Sequence, residues 1–403
     1  MGNVREAETS ELLGLIRRGE ATTRPELQDR LQLSRVTLGK RLDVLLRSGL
    51  VDEAGQDAST GGRPRTVFRI RPGCGVLLAV DIGSSRTNLA VTDFAGTILA
   101  RDDRLLDLSG GPGTVLPWVR RRLKAMLKEI GAADSVLGVG VCVPGPVDPV
   151  SRRLVHPALM PGWHGVDLAA ELKEDFDGVP VAVGSDVQVT ALGEYRMHWS
   201  NPDGIILVKA GEGIAAAAVI NGVVRTGATG AAGEIGHMRI SEGRQCRCGR
   251  FGCLESVAGG WALRERLSEA GWTVGSSEEL ADLALRGDSL SIELLELSAR
   301  LVGRALAPVI AVLNPSAVVV AGALADGGAV FLDPLRAALE ALGPQEATRP
   351  LVVASAQLGA DAGVVGAALL AQDLLTAPAH LDMLLTRVTP RRPDQDSFVK
   401  LFT

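Results

Sequence analysis

Three of the chain's five cysteines fall within eight residues, and a histidine precedes the first of them by nine positions. The candidate ligands are His237, Cys246, Cys248 and Cys253. One ring nitrogen and three thiolates make a complete tetrahedral zinc set, and four protein ligands leave no open coordination position. Gly249 and Gly252 allow the tight turns that a short chelating loop needs. The sequence therefore predicts a structural zinc site, the alternative being a turn that carries reduced cysteines.

Two acidic residues, Glu234 and Glu255, lie at the ends of this stretch. A structural zinc site contributes on the order of 10 kcal/mol to local folding. Such a site would hold both carboxylates rigidly beside His237. Ionised carboxylates make strong hydrogen bonds to hydroxyl donors. This arrangement therefore suits a ligand that carries several hydroxyl groups.

The spacing of these residues resembles the signature of the ROK family, which contains sugar kinases and sugar-responsive repressors. A Glu-x-Gly-His segment at residues 234–237 and a Cys-x-Cys-Gly-x-x-Gly-Cys-x-Glu segment at residues 246–255 carry the resemblance. In that family the equivalents of the histidine and the three cysteines bind zinc. The equivalents of Glu234, His237 and Glu255 contact the sugar. The resemblance extends over about residues 9–371 and implies a zinc cofactor and a sugar ligand.

Length and composition predict a cytoplasmic protein of two or three domains. The chain has 403 residues, of which 46% are hydrophobic. This length is more than one ordinary domain requires. No run approaches 18 apolar residues, and the start lacks the basic-then-apolar order of a signal peptide. Cys74 and Cys142 stand apart from the other cysteines, so no disulfide framework is expected.

The first 72 residues predict a winged helix-turn-helix. They carry 13 Lys or Arg against 10 Asp or Glu, although the whole chain has a net charge of −5. Thr23 and Glu26 have the spacing of a capping box, and Ser34 is placed to cap a third helix after a short turn. The predicted helices cover residues 8–18, residues 24–31 and a segment that follows Ser34. The predicted wing strands cover residues 48–51 and 68–70.

The outer face of the third predicted helix carries side chains suited to reading the major groove of DNA. These are Arg35, Thr37, Lys40 and Arg41. The alternative is a charged face that is merely solvated. Arg63 and Arg65, in a glycine-rich loop between the wing strands, suit a phosphate backbone or a narrow minor groove. This order of parts resembles the ROK repressors, is absent from the family's plain kinases, and predicts duplex DNA as a partner.

Two loops resemble the phosphate loops of the sugar-kinase fold but depart from them. After a strand ending near Asp81, Ser84 adds a side chain that narrows the approach of a phosphate. Glu212 stands where the kinases place a hydroxyl, and Ala215 replaces a glycine. A carboxylate about 4 Å from a phosphate charge costs on the order of 4 kcal/mol at an effective dielectric near 20. These departures argue against kinase activity.

The segment Ser185-Asp186-Val187-Gln188 stands where the kinases usually have Asn-Asp-Ala-Asn, with the aspartate acting as general base. Asp186 is retained, so a catalytic base is available. Ser185 and Gln188 replace the two asparagines and alter the usual sugar contacts. Asp186 is therefore either a catalytic base or a hydrogen-bond acceptor for a bound hydroxyl, and the second reading is favoured.

The sequence predicts an α/β protein in which a winged helix-turn-helix precedes a two-lobed, actin-like (ribonuclease H-like) sugar-kinase body. The predicted domains are residues 1–72, a first lobe at 73–195 completed by a helix near 363–375, a second lobe at 196–362, and a polar tail at 378–403.

The predicted function is transcriptional regulation, with repression favoured. The effector would be a sugar or sugar derivative, and the chain would self-associate as a dimer or tetramer without contacting a membrane. The predicted effector-binding residues are Ser185, Asp186, Glu234, His237 and Glu255. One alternative is an ATP-dependent sugar kinase with an accessory DNA-binding domain. The other is a regulator that responds to a protein partner.

Overall fold

The structure, a computed structural model, describes residues 2–57, 65–83, 86–106, 108–155, 160–199 and 203–388. Within these ranges the chain forms an N-terminal head, two five-stranded sheets and a C-terminal pair of helices. Arg63 and Ser84, which the sequence analysis singled out, lie outside the described residues, as do residues 389–403 of the predicted tail.

The head is a winged helix-turn-helix, as predicted. Its elements are α1 (Gly2–Arg18), α2 (Arg24–Leu31), α3 (Arg35–Ser48), β1 (Val51–Asp57) and β2 (Arg65–Ile70). Glu26 accepts the N–H of Thr23 at 3.0 Å, and the Ser34 hydroxyl accepts the N–H of Thr37 at 3.1 Å. These bonds satisfy N–H groups at the starts of α2 and α3. β1 and β2 pair antiparallel and form the wing.

The first sheet has the strand order β5-β4-β3-β6-β7. β3, β4 and β5 form an antiparallel meander, and β6 and β7 run parallel to β3. The elements of this part are β3 (Val76–Ile82), β4 (Arg86–Asp93), β5 (Ile98–Leu105), α4 (Pro112–Glu129), β6 (Val136–Val143), α5 (Leu168–Lys173), β7 (Val181–Ser185) and α6 (Asp186–His198).

The second sheet, β10-β9-β8-β11-β12, repeats the topology of the first. β8, β9 and β10 form the meander, and β11 and β12 run parallel to β8. Its strands are β8 (Ile205–Ala210), β9 (Ile214–Ile220), β10 (Val223–Val224), β11 (Ala317–Ala321) and β12 (Val352–Ser355). Its helices are α7 (Glu255–Ala258), α8 (Gly260–Glu269), α9 (Ser277–Leu285), α10 (Ser289–Leu313), α11 (Ala329–Leu342) and α12 (Gln345–Thr348). This repetition confirms the predicted two-lobed, actin-like body.

Two helices join the lobes. α6 buries Val187, Ala191 and Tyr195 against strands of the second sheet. The last long helix, α13 (Ala362–Thr376), lies on the first sheet. A side chain at Gly140 of β6 would come within 1.8 Å of the Ala367 carbonyl oxygen, so only glycine permits this approach. α6 packs on α13 as well as on the second sheet, so it contacts both halves of the body, and it begins at Asp186.

The predicted polar tail is wrong in its first ten residues. They form α14 (Pro378–Arg387), which packs against α1, α3 and α13. Leu381 and Leu384, three positions apart on one face, are buried in an apolar core that the head shares with the first lobe. Ten residues with two apolar anchors give too short a periodic pattern to outweigh the flanking proline and polar residues.

Among the described residues, no single helix is both long and apolar enough to span a membrane. Residues 359–376 and 378–387, taken together, meet the length and hydropathy criteria, and they are bent by 100° relative to each other.

Candidate metal centre and effector cleft

The loop between the second sheet and α7 brings the four predicted metal ligands together. The ligand atoms of His237, Cys246, Cys248 and Cys253 all lie within 4.8 Å of one another. A tight turn forms the loop's tip, where the N–H of Gly249 donates to the Cys246 carbonyl at 2.9 Å and Gly249 has φ of 87°. This positive φ is the reason that glycine stands there.

Two distances within the cluster can be compared with those around a tetrahedral zinc ion. Zinc lies about 2.3 Å from thiolate sulfur and about 2.0 to 2.1 Å from histidine nitrogen. In such a tetrahedron, neighbouring ligand atoms are roughly 3.6 to 3.8 Å apart. The Sγ atoms of Cys248 and Cys253 are 3.7 Å apart, and Cys246 Sγ is 3.7 Å from His237 Nδ1. The donor set is therefore one that zinc prefers, and these two distances fit a tetrahedral zinc ion.

His237 connects the cysteine cluster with the neighbouring cleft. Its Nδ1 faces Cys246, while its Nε2 lies 3.8 Å from a carboxylate oxygen of Glu234. When one ring nitrogen of a histidine binds a metal, a partner at the other nitrogen fixes the ring orientation. A metal in the cluster would therefore order the side of the ring that faces Glu234.

Three carboxylates, those of Asp186, Glu234 and Glu255, act on one another near His237. Glu255 accepts the N–H of Ile214 at 3.2 Å and the Trp261 Nε1–H at 3.3 Å, which fixes both of its oxygens. Burial raises the pKa of Glu234, and the nearby carboxylates of Asp186 and Glu255 raise it further, against the opposing effect of His237. The structure therefore brings Asp186, Glu234, His237 and Glu255 into one electrostatic neighbourhood. The predicted Ser185 is only 3% exposed at the end of β7 and offers little surface to a ligand.

Sequence reasoning missed Lys209, which pairs with Asp186 in the cleft. The Lys209 ammonium donates to Asp186 Oδ2 at 2.7 Å, and the other oxygen of Asp186 accepts the N–H of Val187 at 2.7 Å. Burial alone would lower the pKa of Lys209, but the attraction of Asp186, with a contribution from Asp81, raises it overall. A lone lysine inside an otherwise apolar strand was the available signal.

The predicted DNA-reading side chains divide into two groups. Arg35, Lys40 and Arg65 are exposed on the head. The Thr37 hydroxyl lies 2.9 Å from that of Ser34, within the cap of α3. Arg41 donates to Glu8 of α1 at 2.8 Å, so this predicted DNA contact is already engaged inside the head.

Two valines on the outer face of α3 were missed by sequence reasoning. Val36 is 67% exposed and Val44 is 45% exposed. Apolar side chains on a reading helix can contact the methyl group of thymine. Their position among the polar residues of this face was the signal in the sequence that could have indicated such a contact.

A model of the ROK family matches residues 77–374, which is most of the chain. The chain belongs to the ROK family. Among the relatives of this ROK protein is the xylose repressor of Bacillus subtilis strain 168. The two are 27% identical over 328 residues, covering 81% of this chain and 84% of that repressor.

Two solved ROK structures differ in how much of this chain they match. The crystal structure of a ROK family transcriptional regulator, a homologue of the Escherichia coli Mlc protein, covers 95% of this chain and 99% of its own, with a TM-score of 0.79 and 23% identity. A ROK glucokinase from Streptomyces griseus, solved with glucose and AMPPNP, covers 74% of this chain and 99% of its own, with a TM-score of 0.61 and 29% identity. The regulator therefore shares a fold with nearly the whole chain and the kinase with about three quarters of it.

In this ROK protein the loop at Glu212, which resembles the second phosphate loop of the kinases, carries a negative charge that neighbouring cations offset. Glu212 Oε1 accepts from Arg264 at 2.7 Å and from the Ser277 hydroxyl at 3.0 Å, and Arg247 lies 3.9 Å from Oε2. These cations offset the repulsion that Glu212 would exert on a phosphate, so about 4 kcal/mol is an upper bound on its cost. Ala215 lies on β9, opposite Lys209 of β8.

Proposed function

We propose that this ROK protein is a transcriptional repressor whose head binds operator DNA and whose body binds a sugar or sugar derivative. The observation that carries the proposal is the union, in one chain, of a winged helix-turn-helix with the two-lobed body of the ROK family. The similarity to the xylose repressor over 81% of the chain supports it. The plain kinase reading leaves the head without a role.

The effector is a neutral sugar, bound near Asp186, Glu234, His237 and Glu255. Three carboxylates against one lysine make the cleft unfavourable for a phosphorylated or acidic sugar, because like charges repel at short range. The same carboxylates accept hydrogen bonds from sugar hydroxyls. Zn²⁺ held by His237 and the three cysteines keeps the histidine ring and the adjoining Glu234 in place.

A continuous set of contacts runs from this cleft to the head. α6 begins at Asp186, and Arg196 in its last turn donates to Asp373 of α13 at 3.0 Å. Arg17 of α1 binds the same Asp373 and also donates to the Thr376 hydroxyl at 3.0 Å. Movement of α6 would therefore displace the C-terminal end of α1.

The contacts continue from α1 to the reading helix. Arg18 of α1 packs against Gly222, in the turn between β9 and β10 of the second lobe, so α1 touches both lobes. Glu8, near the other end of α1, holds Arg41 of α3 at 2.8 Å. A change in the angle between the lobes would thus reorient α3.

Regulation follows if two copies of the chain act together. Helix-turn-helix dimers bind half-sites about one helical turn apart, so a small change in head orientation alters their match to the operator. A coupling of about 1 to 3 kcal/mol between sugar and operator is sufficient to change occupancy substantially. We propose a homodimer or a tetramer as the operator-binding form.

The test begins with selection of the operator from genomic fragments by the purified, zinc-loaded protein. Operator affinity is then measured across a panel of neutral pentoses, hexoses and N-acetylhexosamines. We expect one sugar to change the affinity, and Glu234→Gln to abolish that response without loss of operator binding. Glu242→Gln, at a 98% exposed side chain of the same loop, is the matched control and should respond normally.

The DNA half of the proposal has its own variant. Lys40→Ala should weaken operator binding and lower the slope of log affinity against log salt by about one, because one phosphate contact is lost. Arg304→Ala, at an exposed position of α10 in the body, should leave the slope unchanged. A protein that selects no DNA sequence, or that forms ADP from ATP and a panel sugar, would refute the repressor and favour the kinase.

A further inference from the structure

Lys209 makes an ion pair across the cleft. It lies on β8 of the second lobe, and its ammonium is 2.7 Å from Asp186 Oδ2 at the start of α6. In the sheet it pairs with Ala215 on one side and Ala321 on the other, so its strand neighbours are small. About 40% of the side chain remains accessible to solvent.

A second carboxylate, that of Asp81, lies at the same edge of the first sheet. Asp81 is level with Cys142 of the adjacent strand β6, and Cys142 is level with Gly184 of β7, two residues before Asp186. The ends of these parallel strands therefore bring Asp81 and Asp186 to the two sides of Cys142. Asn88 donates to Asp81 Oδ2 at 3.0 Å, and Asp81 adds to the attraction that acts on Lys209.

Phosphoryl transfer to a sugar makes two demands on such a site. A carboxylate must accept the proton of the attacking hydroxyl, and a divalent cation must neutralise the phosphates. Both oxygens of Asp186 already accept hydrogen bonds, one from the Val187 N–H and one from Lys209. The ammonium also places a positive charge beside the carboxylates that would attract a metal ion.

We propose that Lys209 is a tethered cation that excludes divalent metal ions from the position between Asp81 and Asp186. The cleft then recognises a neutral ligand without a magnesium nucleotide, and Lys209 determines this specificity. The lysine also orients Asp186, since it holds one oxygen and leaves the second lone pair of each oxygen for a ligand hydroxyl. This inference concerns metal exclusion and does not require that the protein bind DNA.

A purely structural role for Lys209 makes a different prediction. If the lysine only tied the lobes together, its loss would lower stability without creating affinity for a cation. The two roles are separated by Lys209→Met, which shortens the unbranched side chain by one atom and removes the charge. Lys209→Arg keeps the charge and serves as the matched control.

The experiment is a Mn²⁺ titration of the zinc-loaded, full-length protein, followed by the electron paramagnetic resonance signal of free Mn²⁺. In wild type and in Lys209→Arg, the further change Asp186→Asn should leave the amount of bound Mn²⁺ unchanged. Lys209→Met should bind about one ion per chain, at least tenfold more tightly than wild type, and the further change Asp186→Asn should abolish the gain.

Two results would overturn the proposal. One is binding of Mn²⁺ by the wild type that Asp186→Asn abolishes. Both proteins in that comparison keep Lys209, so this result does not depend on the folding of a Lys209 variant. The other is a Lys209→Met variant that retains a cooperative thermal transition but gains no affinity for Mn²⁺. If that variant fails to fold, Lys209→Gln is titrated in its place with the same expectation.

Discussion

At the scale of residues, the five cysteines differ in their surroundings. Burial raises the pKa of Cys74 to about 12, and burial also raises the pKa of Cys142 well above its ordinary value. Thiolates, not thiols, are the nucleophiles toward thiol reagents. Cys246, Cys248 and Cys253, in contrast, lie together in a loop where a metal would hold them as thiolates.

This difference predicts the course of thiol labelling. At pH 8 the zinc-loaded native protein should react slowly with a disulfide reagent, and metal removal by a chelator should expose about three reactive thiols per chain. Cys253→Ser should lose the zinc measured by elemental analysis, while Cys74→Ser should retain it. Rapid labelling of all five thiols before chelation, or protein purified without chelators and free of metal, would contradict the assignment.

The metal ligands and their neighbours could be predicted from the sequence because they are local. His237 and Cys253 are separated by 16 positions, and the spacing alone restricts the geometry. Lys209 and Asp186 are 23 positions apart on different elements, and only the fold places them 2.7 Å apart. The pairing of Arg41 with Glu8 was hidden in the same way, since each residue taken alone suits an exposed helical face.

At the scale of elements, the predicted boundaries agree with the structure where the local sequence pattern is strong and disagree where it is short. The caps at Thr23 and Ser34 located α2 and α3. α1 begins at Gly2, six residues before its predicted start, because its first turns lack apolar spacing. α14 was missed although it closes the core between the head and the first lobe.

The position of α14 predicts that its buried leucines stabilise the head. Leu384→Ala should lower the free energy of unfolding by about 2 to 5 kcal/mol, because it opens a cavity in a fully buried site. Asp382→Ala, at an exposed position of the same helix, should change it by about 0.5 kcal/mol or less. Denaturant titration measures both variants, and equal effects would show that α14 is not part of the core.

At the scale of the whole molecule, the head is a continuation of the body and not a tethered module. The apolar core of the head contains Leu12, Leu42 and Phe68, and it is continuous with Leu77 and Leu375 of the first lobe. Arg17, whose side chain is 9% exposed, adds a polar contact. It binds Asp373, which also binds Arg196. A rearrangement of the lobes therefore cannot leave the orientation of α1 unchanged unless these contacts break.

Arg17→Met isolates this link, because Asp373 keeps its bond to Arg196 and no buried carboxylate is left unpaired. Sugar affinity of the body should be unchanged, while the sugar-induced change in operator affinity should fall to about twofold or less. Coupling of 1 to 3 kcal/mol corresponds to about 5- to 150-fold in the wild type. The matched control is Arg300→Met on α10, whose arginine pairs with Glu296 at 3.0 Å far from the head. Both affinities are measured by titration of labelled operator with and without saturating sugar. A full response in Arg17→Met would mean that the signal crosses through the apolar core and not through Asp373.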